Sequence, residues 1–170
     1  MLRASTRHSN NNHGKPSSKS LGSFHHRNLP LLLLQAREGV LAHFRPILNA
    51  HGVTEQQWRI IRALLEASRP LEPRQIGELC RISSPSLAGV LARMDELGLV
   101  RRERVAEDQR RVMVSLSPQS RTLARMMVPQ IEAMYRRLEA HLGHQVVARF
   151  YTTLDEMITM LGALPEPDLD

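Results

Sequence analysis

The stretch from Ile82 to Leu116 limits what this chain can fold into more than any other. Ser84-Pro85 reads as a helix start, with serine at the cap and proline at the first position, where a missing amide hydrogen is harmless. Leu87, Val90, Leu91, Met94 and Leu97 follow at helical spacing, and Gly98 closes the run in the manner of a left-handed C-cap. The pattern then changes at once. Leu99–Arg104 alternates, Glu107–Arg111 is a polar tip, and Val112–Leu116 returns, which together predict a two-stranded hairpin. Upstream, a short helix over Arg74–Cys80 is expected to bury Ile76, Leu79 and Cys80, with Ile82-Ser83-Ser84 as the turn between the helices. A helix–turn–helix followed directly by a hairpin is the winged form of that motif.

The flanks are helical. From Asn28 onward Leu33, Val40, Leu41, Phe44, Ile47 and Leu48 share one face; Pro30 suits a first turn, whereas Pro46 should kink or end the helix before His51-Gly52. Thr54-Glu-Gln-Gln57 forms a capping box for a second helix to about Ser68, with Trp58, Ile61 and Leu65 inward. Arg69–Pro73 is a break with a short extended piece at Leu71. After the hairpin, Ser117-Pro118 caps a long helix carrying Leu123, Met126, Met127, Ile131, Met134 and Leu138, with Pro129 as a bend. Gly143 separates it from a last helix built on Val146, Val147, Phe150, Tyr151, Leu154, Met157, Ile158 and Leu161, before Pro165 and Pro167 end ordered structure. The expected fold class is therefore mainly α: a winged helix–turn–helix with a two-stranded β wing and long terminal helices.

Charge alone is a poor guide to function. The chain's net charge is +6, yet residues 1–28 hold five basic side chains (Arg3, Arg7, Lys15, Lys19, Arg27) and no acid. The remaining residues are close to balanced, so the excess is largely a tail effect. This Asn-, Ser-, His- and Gly-rich segment has little to bury and is expected to be disordered, either an overlong start or a nonspecific DNA-binding arm. One cysteine in 170 residues excludes an internal disulfide framework and a Cys-rich metal site. The longest apolar run, Leu29–Leu34, contains Pro30 and is far too short to span a membrane. No signal-peptide-like stretch precedes it, and a cytoplasmic location is expected.

Local geometry makes the case for DNA. The second helix of a helix–turn–helix lies in the major groove with its N-terminal residues nearest the bases. Ser84, Pro85, Ser86, Ala88 and Gly89 are small enough to let the backbone approach, and the hydroxyls suit phosphates or base edges. Arg74 and Arg93 are candidates for phosphate contacts. The tip residues Arg110 and Arg111 offer guanidinium groups to a narrow minor groove, while Asp108 is expected to orient Arg110 by a charge-assisted hydrogen bond.

The sequences Ser-Pro-Ser-Leu, Leu-x-x-Met-x-x-x-Gly-Leu-Val-x-Arg and Asp-x-Arg within Ile82–Leu116 resemble the MarR family of transcriptional regulators, and the likeness extends over about Leu29–Leu161. Leu34-Gln-Ala-Arg37, Phe44-Arg-Pro46 and Thr54–Ile60 resemble its homoprotocatechuate-operon repressors in particular. The resemblance implies a homodimer built from the first and last two helices. It also implies palindromic double-stranded operators, and release of DNA when a small aromatic acid binds. Accordingly, 1–28 is read as the arm, 29–52 as a dimerisation helix, 53–116 as the DNA-binding domain, 117–163 as C-terminal dimerisation helices and 164–170 as a tail. The long apolar faces of the terminal helices point to two-fold pairing independently.

For the effector, Trp58 and Arg62 lie four apart on one helix face, fit to stack on a ring and to pair with a carboxylate. Arg37 and His43 are further candidates. A hydroxyphenylacetate or a hydroxypyridine carboxylate satisfies the same chemistry. No cofactor is expected. Cys80 falls on an apolar inward face, which favours packing over redox sensing. His25-His26 and His141/His144 are incomplete as metal sets, so no metal is expected. Neighbouring acids such as Asp95-Glu96 point apart on a helix, and no nucleophile turn or glycine-rich loop suggests an enzyme. A protein-binding winged helix is the remaining competitor.

Overall fold

A computed structural model describes residues 24–106 and 108–164. The elements run α1 (Leu29–Ala50), α2 (Glu55–Ala67), α3 (Pro73–Cys80), α4 (Ser84–Glu96), β1 (Val100–Val105), β2 (Asp108–Leu116), α5 (Pro118–Leu142) and α6 (His144–Gly162). The expected disorder of the N-terminal arm and the stop at Pro165 and Pro167 fall outside the described residues, apart from positions 24–28, which are exposed and non-helical.

The caps explain why the elements end where they do. Thr54 Oγ1 accepts from the Gln57 amide, and Gln57 Oε1 accepts from the Thr54 amide at 2.9 Å, closing the expected capping box of α2. Ser117 Oγ accepts from the Ser120 amide at 3.0 Å and starts α5. α1 and α4 finish alike. Gly52 and Gly98 take φ of +64° and +67°, and the following amides of Val53 and Leu99 reach back to the carbonyls of Leu48 and Met94. In each case the turn carries the next apolar residue into the core.

That core lies inside the winged domain. Ile60, Ile61 and Leu64 of α2 meet Ile76 and Cys80 of α3, Leu87, Leu91 and Met94 of α4, and Val114 and Leu116 of β2. Leu71 forms an isolated antiparallel bridge to Val114, with N···O distances of 3.0 and 2.8 Å, so the short extended piece becomes a third rung beside the hairpin. Phe44 and Leu48 at the end of α1, and Ala124, Met127 and Ile131 of α5, close the core from the other side.

Several expected details are corrected. Ser83, not Ser84, is the N-cap of α4, which moves Pro85 to the second helical position. Leu79 is 63% exposed, because α3 buries only the narrow stripe of Ile76 and Cys80 against α2. Leu97 caps α4 and stays exposed, since the turn at Gly98 sends Leu99 inward in its place. Met126 is exposed because the buried face of α5 runs through Ser120, Ala124, Met127 and Ile131, about a quarter-turn away. Pro46 does not end α1, which continues for one more turn to Ala50. β2 starts at Asp108, so Arg110 and Arg111 belong to the strand and not to a loose tip.

Candidate nucleic-acid interface and effector pocket

α4 is anchored by Leu87, Leu91 and Met94, and this fixes what it presents outward. Ser84, Pro85, Ser86, Ala88 and Gly89 are all exposed, and the Ser83 hydroxyl donates to Ser86 Oγ at 3.0 Å. Beside them a groove of about 540 Å³ separates α3 from α4, with Arg74, Arg81, Ser84 and Ala88 on its walls and Arg102 of β1 at one end. Arg74 pairs with Glu78 at 2.9 Å and Arg93 with Glu96 at 3.0 Å, both at the helix surface. Exposed pairs of this kind are weak, so either guanidinium can exchange its carboxylate for a phosphate.

Arg81 and Arg102 were not singled out from the sequence. Arg81 adopts φ of +50° at the turn between α3 and α4, a conformation usually left to glycine. The sequence marks neither residue, since the positive φ of Arg81 and its place on the groove wall exist only in the fold.

The wing's polar end differs from expectation. Asp108 Oδ1 accepts from the Arg110 backbone amide at 3.0 Å, so the aspartate shapes the turn and does not hold the Arg110 guanidinium. Short acidic side chains bond readily to the amide two residues on, and here that local bond takes the carboxylate. Arg111 turns back to Glu72, with Nε donating to Oε1 at 2.9 Å and Nη2 to the same oxygen.

Between the winged domain and the terminal helices, Arg62 donates from Nε to Glu66 at 2.7 Å and from Nη1 to the Tyr135 hydroxyl at 3.2 Å. The Tyr135 ring meets Phe44 of α1 at 4.8 Å between centroids, tilted by 54°. Glu66 and then Tyr135 hold the Arg62 guanidinium firmly in its charged form. Tyr151 of α6, about half exposed, feels the same charges: partial desolvation, then Tyr135 and Glu139, push its phenol up while Arg62 opposes the change. Trp58, one turn before Arg62, is half-buried against the core. Arg37 instead pairs with Glu38 at 2.7 Å and with Glu55, and His43 is exposed on α1. Tyr135 had no marker in the sequence, because long-range packing alone brings it to Arg62.

The Cys80 thiol is buried, and burial pushes it up against the opposing charge of Arg59; its Sγ lies 3.6 Å from the Arg59 carbonyl oxygen. A thiolate is disfavoured there. Among the described residues no three His, Cys, Asp or Glu side chains converge as a metal site, and no helix is long and apolar enough to cross a membrane.

Known proteins share this fold. The sequence model of the MarR family matches residues 51–111, the winged domain. The homoprotocatechuate degradative operon repressor of Escherichia coli is 38% identical over 135 residues, which span 79% of this chain and 90% of that protein. The crystal structure of the transcriptional regulator PA4135 superposes with a TM-score of 0.74 at 40% identity, covering 79% of this chain and 98% of that one. NadR, solved in complex with 4-hydroxyphenylacetate, superposes with a TM-score of 0.69 at 34% identity, covering 80% and 96%. With its winged domain, its terminal helices and relatives matched over nearly their full length, the chain belongs to the MarR family of transcriptional regulators.

Proposed function

We propose that this protein is a cytoplasmic repressor of a catabolic operon. It binds palindromic double-stranded DNA as a homodimer and is released by a small aromatic acid. It is a regulator and not an enzyme, and needs no cofactor beyond that effector. The observation that carries the reading is the exposed N-terminal half of α4, small side chains outward, flanked by Arg74, Arg81 and Arg102. Ser84, Ser86, Ala88 and Gly89 would enter the major groove, Arg74 and Arg93 would meet phosphates, and Arg110 would follow the minor groove. Two such domains would face half-sites about 34–36 Å apart.

The effector reading rests on the kinship with NadR and on Arg62. A carboxylate would take the Arg62 fork in exchange for Glu66, with Tyr135 as a second polar contact and Trp58 as the stacking surface. Hydroxyphenylacetate fits that chemistry, as does a hydroxypyridine carboxylate. Because α2 belongs to the DNA-binding domain and α5 to the terminal helices, a ligand bridging Arg62 and Tyr135 would bias the angle between them. It would release DNA only by preferring the angle that misplaces the two recognition helices.

The test is a gel-shift titration on the DNA upstream of its own gene and neighbouring operons, repeated with a panel of these acids. Tight, steeply salt-dependent binding relieved by one acid is expected. Binding that no acid relieves would remove the effector pocket, and no specific binding at any promoter would favour a protein-interaction module.

A further inference from the structure

The antiparallel ladder of the wing lapses at its outer end. β1 and β2 pair regularly from Val100 opposite Leu116 to Arg104 opposite Val112. The next step of β1, Val105, faces Asp108, so Gln109, Arg110 and Arg111 lie opposite a single step of the partner strand. The register of the two strands therefore shifts over this segment. Among the described residues, side-chain bonds at this segment join two pairs. One is local, from the Arg110 amide to Asp108. The other crosses 39 positions of sequence, from Arg111 to Glu72, the N-cap of α3.

Glu72 is itself fixed. Its amide donates to Gln75 Oε1 at 3.0 Å, and the preceding residue, Leu71, is bridged to Val114 and fully buried. The Glu72 backbone is thus fixed on the helix–turn–helix, and its carboxylate reaches the wing where the pairing register shifts.

We infer that the Glu72–Arg111 ion pair is a strut that sets the wing against the helix–turn–helix, and that Arg111 acts on DNA through this position and not by contacting a phosphate. The two adjacent arginines then divide the work, Arg110 reaching toward the minor groove and Arg111 holding the base from which it reaches. The consequence for DNA rests on the DNA-binding reading above; the consequence for the wing does not.

Charge alone predicts the opposite sign from the strut. Neutralising Glu72 removes an acid from a DNA-facing surface and by Coulomb attraction would tighten binding. As a strut, its loss loosens the wing and weakens binding. Three variants separate these: Glu72→Gln, which keeps the hydrogen-bonding shape of the cap, Arg111→Ala, and the two combined.

Hydrogen exchange on the free protein comes first. Both single variants should speed exchange at the amides of Arg110–Met113 by about two- to fivefold, the scale of an exposed ion pair, and leave α2 unchanged. Unchanged exchange would overturn the strut whether or not the protein binds DNA. Binding is then measured on a duplex selected from a random pool by the wild-type protein. The singles should weaken it by the same factor, the double variant no further, and the salt slope should match wild type. A shallower slope by about one in Arg111→Ala, or tighter binding in Glu72→Gln, would make Arg111 a phosphate contact and remove the strut. Arg111→Lys sharpens the distinction, since a phosphate accepts lysine whereas the forked bond to Glu72 is lost.

Discussion

At the scale of single residues, Arg81 pits backbone against side chain. Its left-handed conformation costs a non-glycine residue about 1 kcal/mol, and the side chain lines the groove beside α4. Arg81→Gly should therefore raise stability in urea unfolding by about that amount. It should also weaken DNA binding and reduce the salt slope by about one. A loss of stability would show that other contacts of the Arg81 side chain outweigh the backbone cost. Tyr135 admits a cleaner cut. Tyr135→Phe keeps the ring against Phe44 and removes only the hydroxyl that accepts from Arg62. Stability and DNA affinity should hold, while the effector concentration needed for release should rise about tenfold, the scale of one bond to a charged group. Equal release by the same acid would place the effector away from Tyr135.

At the scale of elements, the turn after α4 joins that helix to the wing. Gly98 holds φ of +67°, and a Cβ there would meet Gln119 Oε1 at 3.1 Å. Gly98→Ala should cost about 1–2 kcal/mol in thermal or urea unfolding, the penalty of a left-handed residue with a Cβ; no measurable loss would mean that the turn can re-form without glycine. This turn was legible in the sequence because its signal is local: glycine's backbone freedom beside a helical run. The capping box at Thr54 and the cap at Ser117 were legible for the same reason. Leu79, Leu97 and Met126 were misjudged because periodicity reports which residues are apolar, not how wide a stripe the neighbouring element covers. The outward surface of α4 followed from its anchor residues. The Arg111–Glu72 pair and the Arg62–Tyr135 bond did not, since each joins residues far apart in sequence.

At the scale of the whole molecule, α6 has no buried residue, although Val146, Phe150, Tyr151, Ile158 and Leu161 are apolar or aromatic and all stand exposed. Leu29, Leu31 and Leu34 at the start of α1 are exposed as well. A helix with this much uncovered apolar surface gains little from the chain it belongs to, and pairing with a second copy is the simplest way to cover it. Ile158, 57% exposed, makes the point testable. In an isolated chain Ile158→Glu changes a surface position and should barely alter folding. In a dimer it would set a carboxylate in an apolar seam, where desolvation is costly. Sedimentation should then show a folded monomer where the wild type is a dimer. Operator affinity should fall by about 10²–10⁴, because the second half-site is no longer reached at the effective concentration that linkage to the first supplies. A variant that stays dimeric and binds as the wild type would move the seam off this face of α6, and the spacing between recognition helices would have to be set elsewhere.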